Sequence, residues 1–214
     1  MKILVFSNSE WDNTNSLGNT LSNFFEGEIW KNDEFYNIYM RNSLPNNNVC
    51  QNYYRMSLID MIKHYFNKEN IGYEFIYTND YNTNNINRSE KRIINFIHKF
   101  SIKWIYSFAD YIYNKKKWIN NKFINYIKSI DPDIFFSFLT DVSMLDPMIE
   151  FMKNNTNAKI ILFIADDVYG SYKTNKNRKM LESKFKNIIS NADRVYTISD
   201  EMAIEYNKLF HNFQ

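Results

Sequence analysis

Two adjacent carboxylates, Asp166 and Asp167, follow directly on the apolar run Ile160–Ile164. In an open α/β sheet, ligands bind beyond the carboxyl ends of the strands. At least one of the pair would then point into that crevice, able to bind a hydroxyl or accept its proton. A helix N-cap with a solvent-facing neighbour also explains the dipeptide. Thr140 and Asp141 follow the run Ile134–Phe138 in the same way, and Ser199-Asp200-Glu201 follows Val195–Ile198. A cap accounts for Ser199 or Asp200, yet that position faces the same crevice. The first run, Ile3–Phe6, leads through a polar loop to Gly18, Asn19 and Thr20. Gly18 at a helix start, with donors from Asn19 and Thr20, can meet a phosphate at the positive end of the helix dipole. A structural loop with an N-cap fits the spacing as well. The chain has no GxGxxG and no Walker-type lysine, which disfavours dinucleotide and ATP or GTP sites.

Other chemistries find little footing. His64, His98 and His211 are far apart in sequence and none adjoins a strand end, so they read as surface or packing residues. Cys50 is the sole cysteine and has no evident base, which excludes an intrachain disulfide and a cysteine zinc site. His and carboxylate residues nowhere show metal-ligand spacing, so no metal is expected.

The four runs that carry these residues are Ile3–Phe6, Ile134–Phe138, Ile160–Ile164 and Val195–Ile198. Continuous rather than alternating apolarity predicts strands buried on both faces, as in a parallel sheet. Helical spacing joins the later runs. Val142, Met144, Leu145, Met148, Ile149 and Met152 mark Val142–Lys153, and Leu181, Phe185, Ile188 and Ile189 mark Met180–Ser190. Met202, Ala203, Tyr206, Leu209 and Phe210 share one face of Glu201–Phe210. The alternation predicts an α/β fold, a doubly wound parallel sheet with helices on both faces, as one domain over 1–214. The first half adds a strand at 2–7, a helix near Leu17–Glu26 and a strand at Glu34–Tyr39. Segments 53–67 and 72–77 stay open, and 88–129 reads as helical. Pro132 is expected to stop that helical stretch by restricting Asp131.

Composition fits this class. The chain has 214 residues, 44% hydrophobic and 18% aromatic, with a net charge of +2, which excludes disorder; four Gly and three Pro exclude a fibrous repeat. Asparagine is abundant, with 33 residues, a bias expected of A/T-rich codons; the stretches near 79–87 and 154–157 read as loops. The opening apolar segment is too short for a signal peptide, and no stretch of ~18 apolar residues spans a membrane. A reducing cytoplasmic location is expected.

Charge is unevenly placed. Residues 88–128 hold ten Lys and Arg against Glu90 and Asp110, leaving the rest of the chain net acidic. Lys115, Lys116 and Lys117 adjoin Trp104, Tyr106, Tyr111, Tyr113 and Trp118. A basic helical face interleaved with Trp and Tyr fits anionic lipid headgroups, with Lys115–Lys117 and Trp118 as the contact. A solvated face over ordinary core aromatics is the plainer alternative. No nucleic-acid motif accompanies the patch, so no nucleic-acid partner is expected.

The blocks MKILVFSNSEWDNTNSLGNTLSNFF, DPDIFFSFLTD, AKIILFIADDVYG and ADRVYTISDEMAIEYNKLF together resemble the N-terminal domain of a family-4-type glycosyltransferase of bacterial surface-polysaccharide type. Such enzymes have the GT-B fold, with a Rossmann-like acceptor-side domain. Ala192-Asp193-Arg194-Val195, then Thr197-Ile198-Ser199 and a helix, is the most specific block. The resemblance implies retaining sugar transfer from a nucleotide-sugar donor to a glycan or lipid-linked acceptor, without metal or other cofactor. It places Gly18 and Asn19 near the donor diphosphate, Ser199 at the interdomain crevice, and the protein at the inner face of the cell membrane. The family's His-Asp pair reads Ala165-Asp166 here, so Asp166 matches the Asp while Ala165 replaces the His; Asp167 is an alternative carboxylate.

The family's donor domain, with a Glu-x7-Glu motif, has no counterpart before Gln214. The expectation is a partner domain in cis or trans, and no transfer by this chain alone. A non-catalytic subunit that docks a separate donor domain is the second expectation. A receiver-like signalling domain, which DIFFSFLTDVSMLD weakly resembles, lacks the acidic pair after its first strand, where Ser7 and Asn8 stand.

Overall fold

The computed structural model describes residues 1–41, 43–67, 71–78, 103–171 and 178–210. Seven strands order as β4-β3-β2-β1-β5-β6-β7 in a mostly parallel sheet with helices on both faces. The chain divides into two compact units, one of Met1–Phe6 with Ile130–Gln214 and one of Ser7–Ser129.

In the first unit, β1 (Lys2–Ser7), β5 (Ile134–Phe138), β6 (Lys159–Ile164) and β7 (Arg194–Thr197) run parallel, with Val5 opposite Phe136, Phe136 opposite Ile161 and Leu162 opposite Val195. Ile3 to Phe6 are all buried, and so are Phe135, Phe136 and Phe138, as continuous apolarity predicts. β6 and β7 depart from that expectation. Along β6, Ile160, Leu162 and Ile164 are buried while Ile161 and Phe163 are half-exposed, and in edge strand β7 only Val195 is buried. The side chains of an edge strand have fewer neighbours, so an apolar run there does not mean double-sided burial.

Three helices of this unit complete the alternation: α5 (Val142–Asn155), α7 (Arg178–Asn191) and α8 (Asp200–Phe210), with a helical turn α6 at Val168–Ser171. α7 buries Leu181, Phe185, Ile188 and Ile189, the stripe its spacing predicts. α8 turns its predicted face inward, with Tyr206 buried and Met202, Ala203 and Phe210 half-buried, and departs from it at Leu209, which is 52% exposed. Asp133 and Asp193 fasten strand starts, accepting from the backbone N–H groups of Lys2 (2.7 Å) and Ile160 (2.8 Å). Asp131 takes a left-handed φ of 49° before Pro132 instead of the extended backbone expected there. The helix before it still ends at Ile130, by reversal of the chain rather than by extension.

The second unit holds α1 (Ser16–Phe25), a 3₁₀ turn at Glu28–Trp30, β2 (Glu34–Tyr39), β3 (Asn52–Arg55), α2 (Leu58–Asn67), β4 (Tyr73–Ile76), α3 (Lys103–Asn114) and α4 (Asn121–Ile130). The segments left open by periodicity are thus β3, α2 and β4. β2 and β3 are parallel, but β3 pairs antiparallel with β4, Asn52 opposite Ile76 and Arg55 opposite Tyr73. The sheet is therefore mixed, which corrects the all-parallel expectation. Gly72 enters β4 at φ 77°, where a Cβ would sit 2.3 Å from the Tyr54 ring. Its core is aromatic: Trp11, Phe25 and Phe35 meet at centroid distances of 5.2–5.7 Å, and Tyr54 lies 4.6 Å from Tyr126. The Asn-rich stretch 79–87, the predicted helical residues 88–102 with His98, and His211 lie outside the described residues.

Candidate functional site

The register of β5, β6 and β7 brings three strand ends level in the first unit. Phe138 lies opposite Phe163, Ile164 opposite Thr197, and the Ile198 N–H continues the ladder to the Ile164 carbonyl at 3.0 Å. Thr140, Asp141, Asp166, Asp167 and Ser199 consequently share one edge of this unit. Each strand passes into a helix within a few residues, and most of the polar side chains serve those helices. Asp141 is the N-cap of α5, its Oδ1 accepting from the Ser143 N–H at 2.9 Å. Ser199 caps α8, its Oγ accepting from the Met202 N–H at 3.3 Å.

Asp167 is also engaged. Its Oδ1 accepts from the Gly170 N–H at 2.8 Å and from the Tyr206 hydroxyl at 2.7 Å, fastening the turn after β6 to α8. A Cβ on Gly170 would stand 1.8 Å from Asp167 Oδ2, so this carboxylate needs glycine there. Tyr206 in turn packs with Tyr169, Phe185 and Phe210, at centroid distances of 5.9 Å from Phe185 and 6.2 Å from Phe210. Asp166 stands apart: it is exposed, and its carboxylate has no hydrogen bond or ion pair among the described residues. Thr140 is exposed beside the cap of α5. Sequence reasoning missed Tyr206, whose link to Asp167 spans 39 positions and leaves no local signal.

The loop after β1 belongs to the second unit and is built differently. Ser9, Glu10 and Trp11 are buried, and the Trp11 indole donates to Ser22 Oγ at 2.7 Å. Asn47 holds the loop from across the unit: its amide donates to the Trp11 carbonyl at 2.8 Å and to Tyr53, while its Oδ1 accepts from the N–H groups of Val49 and Cys50. Asn15 caps α1 by accepting from the Gly18 N–H at 2.7 Å. Gly18 is buried, and a Cβ there would lie 2.3 Å from the backbone N and O of Asp12. Close packing of the helix on the loop thus accounts for this glycine. Asn19 is exposed one residue on. Glu10, which spacing did not single out, is 4% exposed; Oε1 accepts from Asn15 Nδ2 at 3.4 Å and Oε2 has no partner among the described residues.

The basic segment requires a correction. Trp118, expected on a membrane-facing surface, is 1% exposed; its indole donates to the Tyr113 carbonyl at 3.2 Å and packs on Phe123. Lys115 and Lys117 are exposed and Lys116 is half-buried with φ 52°. A cleft of about 510 Å³ in this unit is lined by Tyr54, Glu74, Asn125, Tyr126 and neighbours, and includes none of the residues expected to bind substrate. Burial pushes the Cys50 thiol up to about 12, which makes it inert as a nucleophile. No His, Cys, Asp and Glu cluster suited to a metal occurs among the described residues, and no described helix is long and apolar enough to cross a membrane. No protein-family model matches the chain, and no curated protein is significantly similar to it.

Proposed function

We propose that the chain is the acceptor-side domain of a retaining glycosyltransferase that uses a nucleotide-sugar donor and a glycan or lipid-linked acceptor in surface-polysaccharide synthesis. The observation that carries this reading is the edge shared by β5, β6 and β7, with the exposed Asp166 carboxylate at its centre strand and Thr140 beside it. A carboxylate with unused acceptor capacity at a strand end suits a sugar hydroxyl, which it can orient and whose proton it can take. Asp166 is given the acceptor-contacting role and Asp167 a positioning role through Tyr206. The Ala165 position supplies no imidazole, so a carboxylate alone would hold the hydroxyl. Gly18 and Asn19 are assigned the donor-diphosphate side on the resemblance alone. The donor half is supplied by a further domain in cis or trans.

A second reading, a non-catalytic subunit that docks a donor-binding partner, is favoured by one observation. Next to Ser199 the first unit exposes Ile198 (62%), and along α8 it exposes Ile204 (58%) and Leu209 (52%), apolar area of the kind interfaces use.

An add-back assay tests the proposal. Membranes and soluble extract from source cells lacking this chain are supplied with the purified chain and radiolabelled UDP- and GDP-sugars. Restored incorporation into glycolipid or polysaccharide is expected. Incorporation that is unchanged by the chain for every donor would overturn it.

A further inference from the structure

Asn121, Asn125 and Ser129 recur at four-residue spacing along α4, a polar stripe beside the buried ring of Tyr126. With Tyr54 of β3 and Glu74 of β4, which stand opposite one another in the antiparallel pair, the stripe encloses a cleft of about 510 Å³. That volume is within the range of small-molecule sites, about 300–1,000 Å³. The cleft lies wholly in the second unit, between a helix and mid-strand residues and not at a strand end.

The fold leaves most of its polar groups unused. Glu74, Asn121 and Asn125 are exposed and make no hydrogen bond or ion pair among the described residues. Ser129 Oγ donates to the Tyr126 carbonyl at 2.8 Å and keeps its acceptor lone pairs. Lys122 Nζ donates to the Gly72 carbonyl at 2.7 Å, which fixes the ammonium at the rim with donors to spare. Tyr126 is 8% exposed, and its hydroxyl is buried with no hydrogen-bond partner among the described residues. Burial pushes this phenol up, so it stays a neutral hydroxyl. Folds seldom bury a hydroxyl without giving it a partner, and a bound molecule is one source of that partner.

From this cleft we infer a binding site for a neutral saccharide, with Glu74, Asn121 and Asn125 as its hydrogen-bonding groups. Sugar hydroxyls donate and accept at once; the two amides offer both functions side by side, and a carboxylate accepts from a pair of hydroxyls. Tyr54 and Tyr126, with centroids 4.6 Å apart at 35°, form a stiff aromatic floor. Other ligand classes fit less well. Glu74 opposes the single Lys122, which disfavours phosphate or sulfate. One carboxylate is too few for a metal ion, and an apolar ligand would strip water from Glu74 and the amides without replacing it.

The inference goes beyond the acceptor-side reading and does not rest on it, since binding needs neither donor nor transfer and uses no strand-end residue. The full chain is titrated calorimetrically with lactose, maltose, N,N′-diacetylchitobiose and inorganic phosphate. At least one saccharide is expected to bind with Kd of about 1 mM or tighter, and phosphate more weakly than that saccharide. Glu74→Gln and Asn125→Ala, both at exposed positions, should each weaken binding by at least ~5-fold with the thermal melt intact. Tyr126→Phe should weaken it by roughly 3-fold without loss of stability, because the hydroxyl it removes has no partner in the fold. Lys128→Gln, on α4 outside the cleft lining, should change it by less than about 2-fold. No binding of any of the three saccharides, or binding that survives both Glu74→Gln and Asn125→Ala, would overturn the inference. So would phosphate binding tighter than every saccharide.

Discussion

The β1 loop and the β5–β7 edge both follow strand ends, and both carry the polar residues that suggest chemistry, but they use them in opposite ways. In the loop, Trp11, Asn47 and Gly18 are closed into packing, and Asn15 already holds one N-terminal N–H of α1, that of Gly18. At the edge, three short connections each surrender one side chain to a helix or turn, Asp141, Asp167 and Ser199, and leave Asp166 over. Where a strand runs straight into a helix, the first suitable polar residue becomes its cap. The residue left after capping is the one available to a ligand.

The contrast can be broken first at Gly18. Alanine there meets Asp12 backbone, which cannot swing aside, so Gly18→Ala should destabilise the chain by about 3 kcal/mol in urea unfolding. A cost under ~0.5 kcal/mol would mean that close packing on Asp12 is not what requires the glycine. Asn47→Ala strips a buried amide from the Trp11 carbonyl and from the N–H groups of Val49 and Cys50. A loss of roughly 2–3 kcal/mol is expected by the same measurement.

Cys50 sharpens the picture of a closed second unit. Its thiol titrates near 12 when folded, against an ordinary 9.0, so the unfolded chain releases its proton first. The group favours the fold fully below pH 9, and its contribution falls as pH rises from 9 to 12, by about 1.4 kcal/mol per pH unit. Urea midpoints of the chain and of Cys50→Ala should diverge below and converge across that window, and the native thiol should resist iodoacetamide at pH 8. The smallest effect belongs to Lys116. Its left-handed backbone suits glycine, so Lys116→Gly should raise stability by up to ~1 kcal/mol in thermal melts.

Much of the first unit was legible in sequence because its strands are apolar runs separated by amphipathic helices, and in β1 and β5 that continuous apolarity records burial on both faces. Ile134–Phe138 in the first unit and Glu34–Tyr39 in the second fall on strands with the predicted bounds. β3 and β4 were not legible: each is four residues long and mixes Tyr with Arg55 or Glu74, and the antiparallel pairing arises across the whole of α2. Asp131 shows that a rule about the residue before proline yields where the chain must reverse. Trp118 shows that adjacency to lysines does not place a ring on the surface; the turn at Lys116 sends the indole inward. At the candidate edge, the residue types and their strand-end positions were readable. Their division into caps and a free carboxylate was not, because Tyr206 and the cap geometry are tertiary facts.

The most direct measurement compares Asp166→Asn with Asp167→Asn in the add-back transfer assay, each variant's folded fraction being fixed by circular dichroism. Asp166→Asn should keep its stability within ~0.5 kcal/mol and lose at least ~100-fold in transfer. Asp167→Asn should lose transfer only in proportion to the fold it loses. Full transfer by Asp166→Asn, or a folded but inactive Asp167→Asn, would contradict the account.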